Sequence, residues 1–312
     1  MAKIICVVGP TASGKTELAV ALAKELDGEV LSCDSMQLYR GMDIGTAKPT
    51  AEEMQGVPHH LLDIAAPTET FSAGRYQALA DPVLQDVLAR GKTAIVTGGT
   101  GLYMDALISG RSFASAPDPG LREKLERRLE NEGAETLLEE LRKVDPETAA
   151  RLHGADHKRI VRALEIFEQT GVPMSVRDAQ SRETPPRYRA AWIGLFYSDR
   201  AQLYDRIDRR VDRMLGEGLV DEVKRLIESG VPETATALQA IGYKEIAAAL
   251  RGECSMPDAV AAVKQGSRRY AKRQMTWLRK NPEIFWIDRS TAPTLSEETA
   301  LCRRFLTDFD NA

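Results

Sequence analysis

Lys3-Ile4-Ile5-Cys6-Val7-Val8 is an apolar run without polar alternation, the pattern of a strand buried on both faces. It meets Gly9-Pro10-Thr11-Ala12-Ser13-Gly14, which extends neither a strand nor a helix. Leu18, Leu22 and Leu26 then recur at four-residue spacing and predict an amphipathic helix, ended by Asp27-Gly28. Val30-Leu31-Ser32-Cys33 predicts a second strand finishing at Asp34. Thr93-Ala94-Ile95-Val96 predicts a further buried strand running into Thr97-Gly98-Gly99-Thr100-Gly101. Strands alternating with helices predict an α/β fold with a doubly wound parallel sheet.

From about Pro117 the texture changes. Leu121 to Leu141 is charged and leucine-spaced with no strand run, and helical patterns continue through Asp156-Arg162 and Ala163-Glu168. Arg182 to Arg187, with Pro185-Pro186, reads as a linker. Ala191-Trp192-Ile193-Gly194-Leu195 is strand-like again. Residues 116–185 are therefore predicted to be an all-helical insertion, with 1–115 and 186–312 forming one α/β core that ends in a basic helix.

Composition narrows the class. With 43% apolar and 28% charged residues in 312, the chain can bury a core and is not disordered as a whole. No apolar run approaches the roughly 18 residues of a membrane span, and Ile4–Val8 is too short for a signal peptide. Cys6, Cys33, Cys254 and Cys302 lie far apart without a CxxC pair, which points to free thiols in a reducing cytoplasm. The net charge of −4 does not speak against nucleic acid, because charge is unevenly spread. Lys264 to Lys280 holds seven basic residues and no acid, interleaved with Tyr270 and Trp277. A solvated helix with buried aromatics has the same pattern. His59-His60 after Pro58 reads as a structural turn, since no acid or cysteine is spaced to complete a metal site.

Gly9-Pro10-Thr11-Ala12-Ser13-Gly14-Lys15-Thr16 matches G-x-x-x-x-G-K-[ST] in the required context, a buried strand before it and a helix after it. The glycines let backbone N–H groups curl round phosphate oxygens, and the helix N-terminus adds partial positive charge. Lys15 supplies a point charge and Thr16 a magnesium ligand. The loop defines a diphosphate grip and a sheet of the P-loop NTPase type, but not a nucleotide. The strand at Thr93–Val96 runs into Thr97-Gly98-Gly99 without the acid that usually helps hold magnesium in ATPases. Asp34 ends a strand, where ligands of open parallel sheets sit. A carboxylate there can take a proton from a nucleophile or hold magnesium through water. Capping a following helix would also account for it. Thr100 can converge on the same crevice.

Several stretches together resemble one family: the phosphate loop, Asp34-Ser35-Met36-Gln37 with Leu38-Tyr39-Arg40, Asp43 to Lys48, Pro58 to Asp63, Thr97 to Tyr103, Ala240 to Glu245 and Lys272 to Arg279. The chain is similar over nearly its whole length to bacterial tRNA dimethylallyltransferases. The resemblance implies transfer of a dimethylallyl group from its diphosphate to the N6 amino group of the adenosine 3′ of the anticodon, in tRNAs reading codons that begin with U. It implies Asp34 as general base, Thr100 beside it, the loop from Gly9 to Thr16 on the diphosphate with magnesium, and Arg206 approaching that diphosphate, with Arg210 as the other choice. It further implies tRNA contacts at Asp34-Ser35-Met36-Gln37, at Lys158-Arg159-Ile160-Val161-Arg162, at Gln239-Ala240-Ile241-Gly242-Tyr243-Lys244, and at Lys272, Arg273, Gln274, Trp277 and Arg279. The insertion would clamp the anticodon stem, and the expected form is a cytoplasmic monomer. An adenylate isopentenyltransferase acting on free nucleotides needs neither the insertion nor the basic helix. A P-loop kinase remains compatible with the loop and Asp34 taken alone. A non-catalytic RNA-binding protein would leave Lys15, Thr16 and Asp34 without a purpose.

Overall fold

The structure, a computed structural model, describes residues 3–110, 118–183 and 185–311. In chain order it contains β1 (Ile4–Val8), α1 (Lys15–Glu25), β2 (Gly28–Ser32), α2 (Ala51–Met54), β3 (His59–His60), α3 (Ala73–Ala89), β4 (Thr93–Gly98) and α4 (Gly101–Ile108). There follow α5 (Pro119–Glu132), α6 (Ala134–Val144), α7 (Pro146–Ala149), α8 (His157–Thr170) and α9 (Met174–Glu183). The chain then returns through β5 (Ala191–Phe196), α10 (Arg200–Gly216), α11 (Leu219–Glu228), α12 (Tyr243–Leu250), α13 (Met256–Leu278), β6 (Phe285–Asp288) and α14 (Leu295–Asn311).

The six strands form one parallel sheet in the order β3-β2-β4-β1-β5-β6. Its middle strands are apolar without alternation because helices cover both faces. Ile5, Val7, Ile95 and Ile193 pack with Leu18 and Leu22 of α1 and with Cys302 and Leu306 of α14. Tyr76 and Leu84 of α3 are buried as well. Two strands were not among those expected from the sequence. β6 is short, and β3 consists of the two histidines expected as a turn. His59 and His60 pair with Val30 and Leu31, and His60 Nε2 lies 2.7 Å from Glu29 Oε2. Backbone pairing at a sheet edge made this strand without an apolar run.

The chain divides into two compact units, one of residues 1–108 with 188–312 and one of residues 109–187. The boundary expected between 115 and 116 falls among residues 111–117, outside the described ones. α9 runs to Glu183, so the segment expected as a linker begins inside a helix. The helical unit has its own core of Leu125, Leu137, Leu138, Leu141, Ile160, Val161 and Leu164. Gly133, at φ +83°, separates α5 from α6 within the stretch of leucine spacing. No helix among the described residues is long and apolar enough to cross a membrane.

Candidate active site

β1, β2 and β4 deliver their C-terminal loops to one cavity of about 770 Å3, whose wall includes Lys15, Thr16, Asp34, Arg206, Arg210 and Gln274. Between β1 and α1 the backbone passes through Ala12 at φ +63° and Gly14 at φ +89°. A left-handed alanine costs about 1–2 kcal/mol and persists where the surroundings over-determine it. They do so here. Arg206 Nε donates to the Ala12 carbonyl at 3.0 Å and Arg210 to Thr11 Oγ1 at 3.3 Å. The Thr11 N–H donates to Gln274 Oε1 at 2.8 Å, and Arg289 donates to the Ser13 carbonyl at 2.8 Å. Ser13 Oγ is buried and has no hydrogen-bond partner among the described residues.

Lys15 Nζ donates to the Pro10 carbonyl at 2.8 Å. Burial lowers its pKa to about 7, the Arg210 charge pushes the same way, and Asp34 opposes them. Burial likewise lowers the pKa of Arg210, against the pull of Asp34. An anion seated in the loop favours the Lys15 ammonium and raises its pKa. Diphosphate binding at pH 8 is therefore expected to take up about one proton more in the wild type than in Lys15→Met. Affinity should weaken as pH rises above 7. Calorimetry with inorganic pyrophosphate in buffers of different ionisation enthalpy measures this, and equal uptake by the two proteins would refute it.

No helix follows Asp34. Its Oδ1 accepts from the N–H groups of Met36 at 2.9 Å and Gln37 at 3.4 Å, which makes a local turn. Among the described residues Oδ2 has no partner, and Asp34 lies on the cavity wall. Thr100 Oγ1 accepts from the Ser35 N–H at 3.0 Å and donates to Ser35 Oγ at 3.2 Å, so it holds the turn that carries Asp34. The two loops meet closely because Gly98 has no side chain. A Cβ there would stand 2.0 Å from the Cys33 carbonyl oxygen.

Of the residues expected to meet RNA, several also make contacts within the protein. Gln37 Oε1 accepts from Ser32 Oγ, while Nε2 donates to the Thr46 and Ala47 carbonyls. Its amide is therefore committed within the protein. Ile160 and Val161 are core residues of the helical unit, buried by the apolar face of α8, whereas Lys158 and Arg159 beside them are exposed. Tyr243 lines the cavity but is buried, its hydroxyl donating to Glu222 Oε1 at 2.6 Å. Gln239 to Gly242 line the same cavity, and Lys244 is exposed. On α13, Gln274 points inward and Trp277 packs against Gly101. Lys264 pairs with Asp212 at 2.6 Å and Arg268 with Asp208 at 2.5 Å, which reduces the charge this helix offers outward. Arg269, Lys272, Arg273, Arg279 and Lys280 are exposed.

Two features were not anticipated from the sequence. Arg289 Nε lies 2.6 Å from Glu298 Oε1, a carboxylate buried completely on α14, and so ties the C-terminal helix to the phosphate loop. Glu222, 2% exposed, accepts from the N–H groups of Asp43, Ile44 and Gly45 and from Tyr243. Each glutamate occupies a core position of an amphipathic helix. Glu298 stands four residues before Cys302 and Glu222 three after Leu219. A charge on an apolar stripe was the available signal.

The donor set also bears on magnesium. No cluster of three or more His, Cys, Asp or Glu side chains able to hold a metal occurs among the described residues. The cavity wall carries the Thr16 hydroxyl at the end of the phosphate loop and several carboxylates, Asp34 among them. A Thr16 hydroxyl beside a diphosphate fits magnesium, which keeps several waters and is bound by one or two protein groups plus substrate phosphates.

Comparison with known proteins places this architecture. The family model described as IPP transferase matches residues 37–281. A tRNA dimethylallyltransferase of Acetivibrio thermocellus is 47% identical over 290 residues, 93% of this chain and 92% of that protein. tRNA dimethylallyltransferase 1 of Trichlorobacter lovleyi is 50% identical over 285 residues, 91% of this chain and 93% of that protein. The full-length tRNA isopentenylpyrophosphate transferase of Bacillus halodurans superposes with a TM-score of 0.74 at 42% identity, covering 100% of this chain and 99% of that one. A eukaryotic dimethylallyltransferase whose structure was solved acting on tRNA gives a TM-score of 0.82 at 30% identity, covering 99% of this chain and 80% of that one. The parallel sheet, the phosphate loop and the match along nearly the whole length agree: the chain belongs to the IPP transferase family.

Proposed function

We propose that the chain transfers a dimethylallyl group from dimethylallyl diphosphate to N6 of the adenosine 3′ of the anticodon, in tRNAs that read U-initial codons, and releases diphosphate. One observation carries the reading. A single cavity is walled both by a diphosphate-gripping loop and by a carboxylate with a free oxygen, Asp34 Oδ2. A donor held by its diphosphate and an acceptor that must lose a proton need those two features together.

An adenine amino group is a weak nucleophile because its lone pair is delocalised into the ring. Asp34 Oδ2 takes its proton as the N–C bond forms, which contributes roughly 10²–10⁴-fold. The allylic carbon reacts as its diphosphate leaves, so cations on that diphosphate stabilise the transition state. Lys15, Arg206, Arg210 and the loop amides supply them. Magnesium, which Thr16 and the diphosphate itself would hold, would neutralise leaving-group charge. The adenosine leaves the anticodon stack to enter the cavity, at a cost of a few kcal/mol.

The exposed cations of α13 offer a phosphate-backbone surface, and Lys158 and Arg159 of the helical unit offer another for the anticodon stem. Lys272→Ala with Arg273→Ala is expected to weaken stem-loop binding and to lower its log–log salt slope by about 1–2. Titrations at several salt concentrations check this, and an unchanged slope would remove α13 as the docking surface. The protein is read as a cytoplasmic monomer.

Mass spectrometry of an anticodon stem-loop incubated with protein, magnesium and dimethylallyl diphosphate tests the function. Parallel reactions offer AMP as acceptor and ATP as donor. One prenyl group on the loop adenosine and none on AMP is the expected result. Prenylated AMP with untouched RNA would make the protein a nucleotide prenyltransferase, and phosphate transfer from ATP would make it a kinase.

A further inference from the structure

Gln274 sits among the exposed cations of α13, yet its side chain turns away from them and is 6% exposed. Its two polar atoms reach two different loops. Oε1 accepts from the Thr11 N–H in the phosphate loop at 2.8 Å, and Nε2 donates to the Gly99 carbonyl at 3.0 Å. The orientation of the amide follows from its partners, because only an oxygen can accept from an N–H and only the NH2 can donate to a carbonyl. The approach is tight. A Cβ on Gly99 would stand 2.1 Å from Gln274 Nε2, so this bridge and a side chain at 99 exclude each other. Tyr270, one turn earlier on the helix, adds its hydroxyl to the same Gly99 carbonyl at 3.4 Å.

The loop so bridged leads directly into Thr100, which holds the Asp34 turn. Thr11 stands beside left-handed Ala12 and receives Arg210 on its hydroxyl. We propose that Gln274 is a positioning residue that sets the distance between the diphosphate-gripping loop and the loop supporting the general base, rather than a tRNA contact. The proposal rests on the transfer reaction assigned above and names a further residue for it. The glutamine acts through Thr11 and Gly99. It does so from the helix that also carries the proposed RNA-docking cations, which places supports for both substrates on one element.

The test compares Gln274→Met, similar in length and without hydrogen bonds, with Gln274→Glu, which keeps an acceptor for Thr11 but turns a carboxylate oxygen toward the Gly99 carbonyl. Gln274→Met is expected to raise KM for dimethylallyl diphosphate and to weaken inorganic pyrophosphate binding by about tenfold, the scale of two neutral hydrogen bonds. It should also lower kcat, while stem-loop affinity and its salt slope stay unchanged. Gln274→Glu is expected to be the more impaired at pH 8. It should recover relative to wild type as pH falls, because a protonated carboxyl again offers both a donor and an acceptor. Loss of RNA affinity with an unchanged KM for the diphosphate would overturn the proposal, and so would wild-type kinetics in both variants. Thermal melts identify a variant that has failed to fold, and the other then carries the comparison. If wild-type protein binds pyrophosphate but prenylates no RNA, the assigned reaction fails, and the pyrophosphate measurement still judges Gln274.

Discussion

Asp34→Asn is expected to slow prenyl transfer by about 10²–10⁴-fold with little change in the binding of either substrate. The isosteric change isolates the chemistry. The Asp34 turn needs an acceptor for the Met36 and Gln37 N–H groups, and an asparagine oxygen serves as well as carboxylate Oδ1. What is lost is a second oxygen able to take a proton. Asp34→Ala would remove the turn together with the base and confuse the two. Single-turnover rates with saturating stem-loop and dimethylallyl diphosphate report the transfer step itself. A wild-type rate would sink Asp34 as the base, and a rate loss accompanied by an equal loss of RNA affinity would reassign it to binding.

The second large effect concerns stability. Glu222→Ala is expected to destabilise the α/β unit by about 3–4 kcal/mol, lowering the melting temperature by about 6–10 °C. The carboxylate accepts four hydrogen bonds, from the N–H groups of Asp43 at 2.9 Å, Ile44 at 2.8 Å and Gly45 at 3.0 Å and from the Tyr243 hydroxyl at 2.6 Å. Removing it takes the shared acceptor away from all four donors at a part-buried site. Glu222→Gln keeps one oxygen and should lose less. Chemical and thermal denaturation of both variants decide the matter, and an alanine variant melting within about 2 °C of wild type would contradict it. The segments joined by Glu222 also wall the cavity. A weakened Glu222→Ala protein should therefore lose activity at temperatures below its melting transition.

These residues differ in how they could be read. The phosphate loop and its flanking β1 and α1 were legible because the whole device is contiguous: an apolar run, two glycines, a lysine and a four-residue leucine spacing. Asp34 was legible as a candidate at the end of an apolar strand and Thr100 as one in the loop after another, since open parallel sheets collect ligands there. Ile160 and Val161 were legible as core positions from their spacing on α8, although they stand within a motif that otherwise carries charge. Gln37 and Gln274 present an amide that suits RNA or backbone equally, and composition cannot choose between them. Arg289 and Glu298 lie far along the chain from the loop they brace, and no spacing rule connects residue 289 to residue 13.

The sequence by itself determined the fold class, the phosphate loop, the general-base candidate and the family, because each is written in local pattern or in an ordered series of motifs. The tertiary structure alone decided which polar side chains line the cavity and which hold the protein together. It turned Gln274 inward between two loops and closed Glu222 over the backbone at Asp43 to Gly45. It also set Arg289 against Ser13 and drew the two histidines into an edge strand. The reason is physical. A hydrogen bond depends on distance and direction between groups that the fold brings together, and a one-dimensional pattern of apolar and polar positions carries burial but not that geometry.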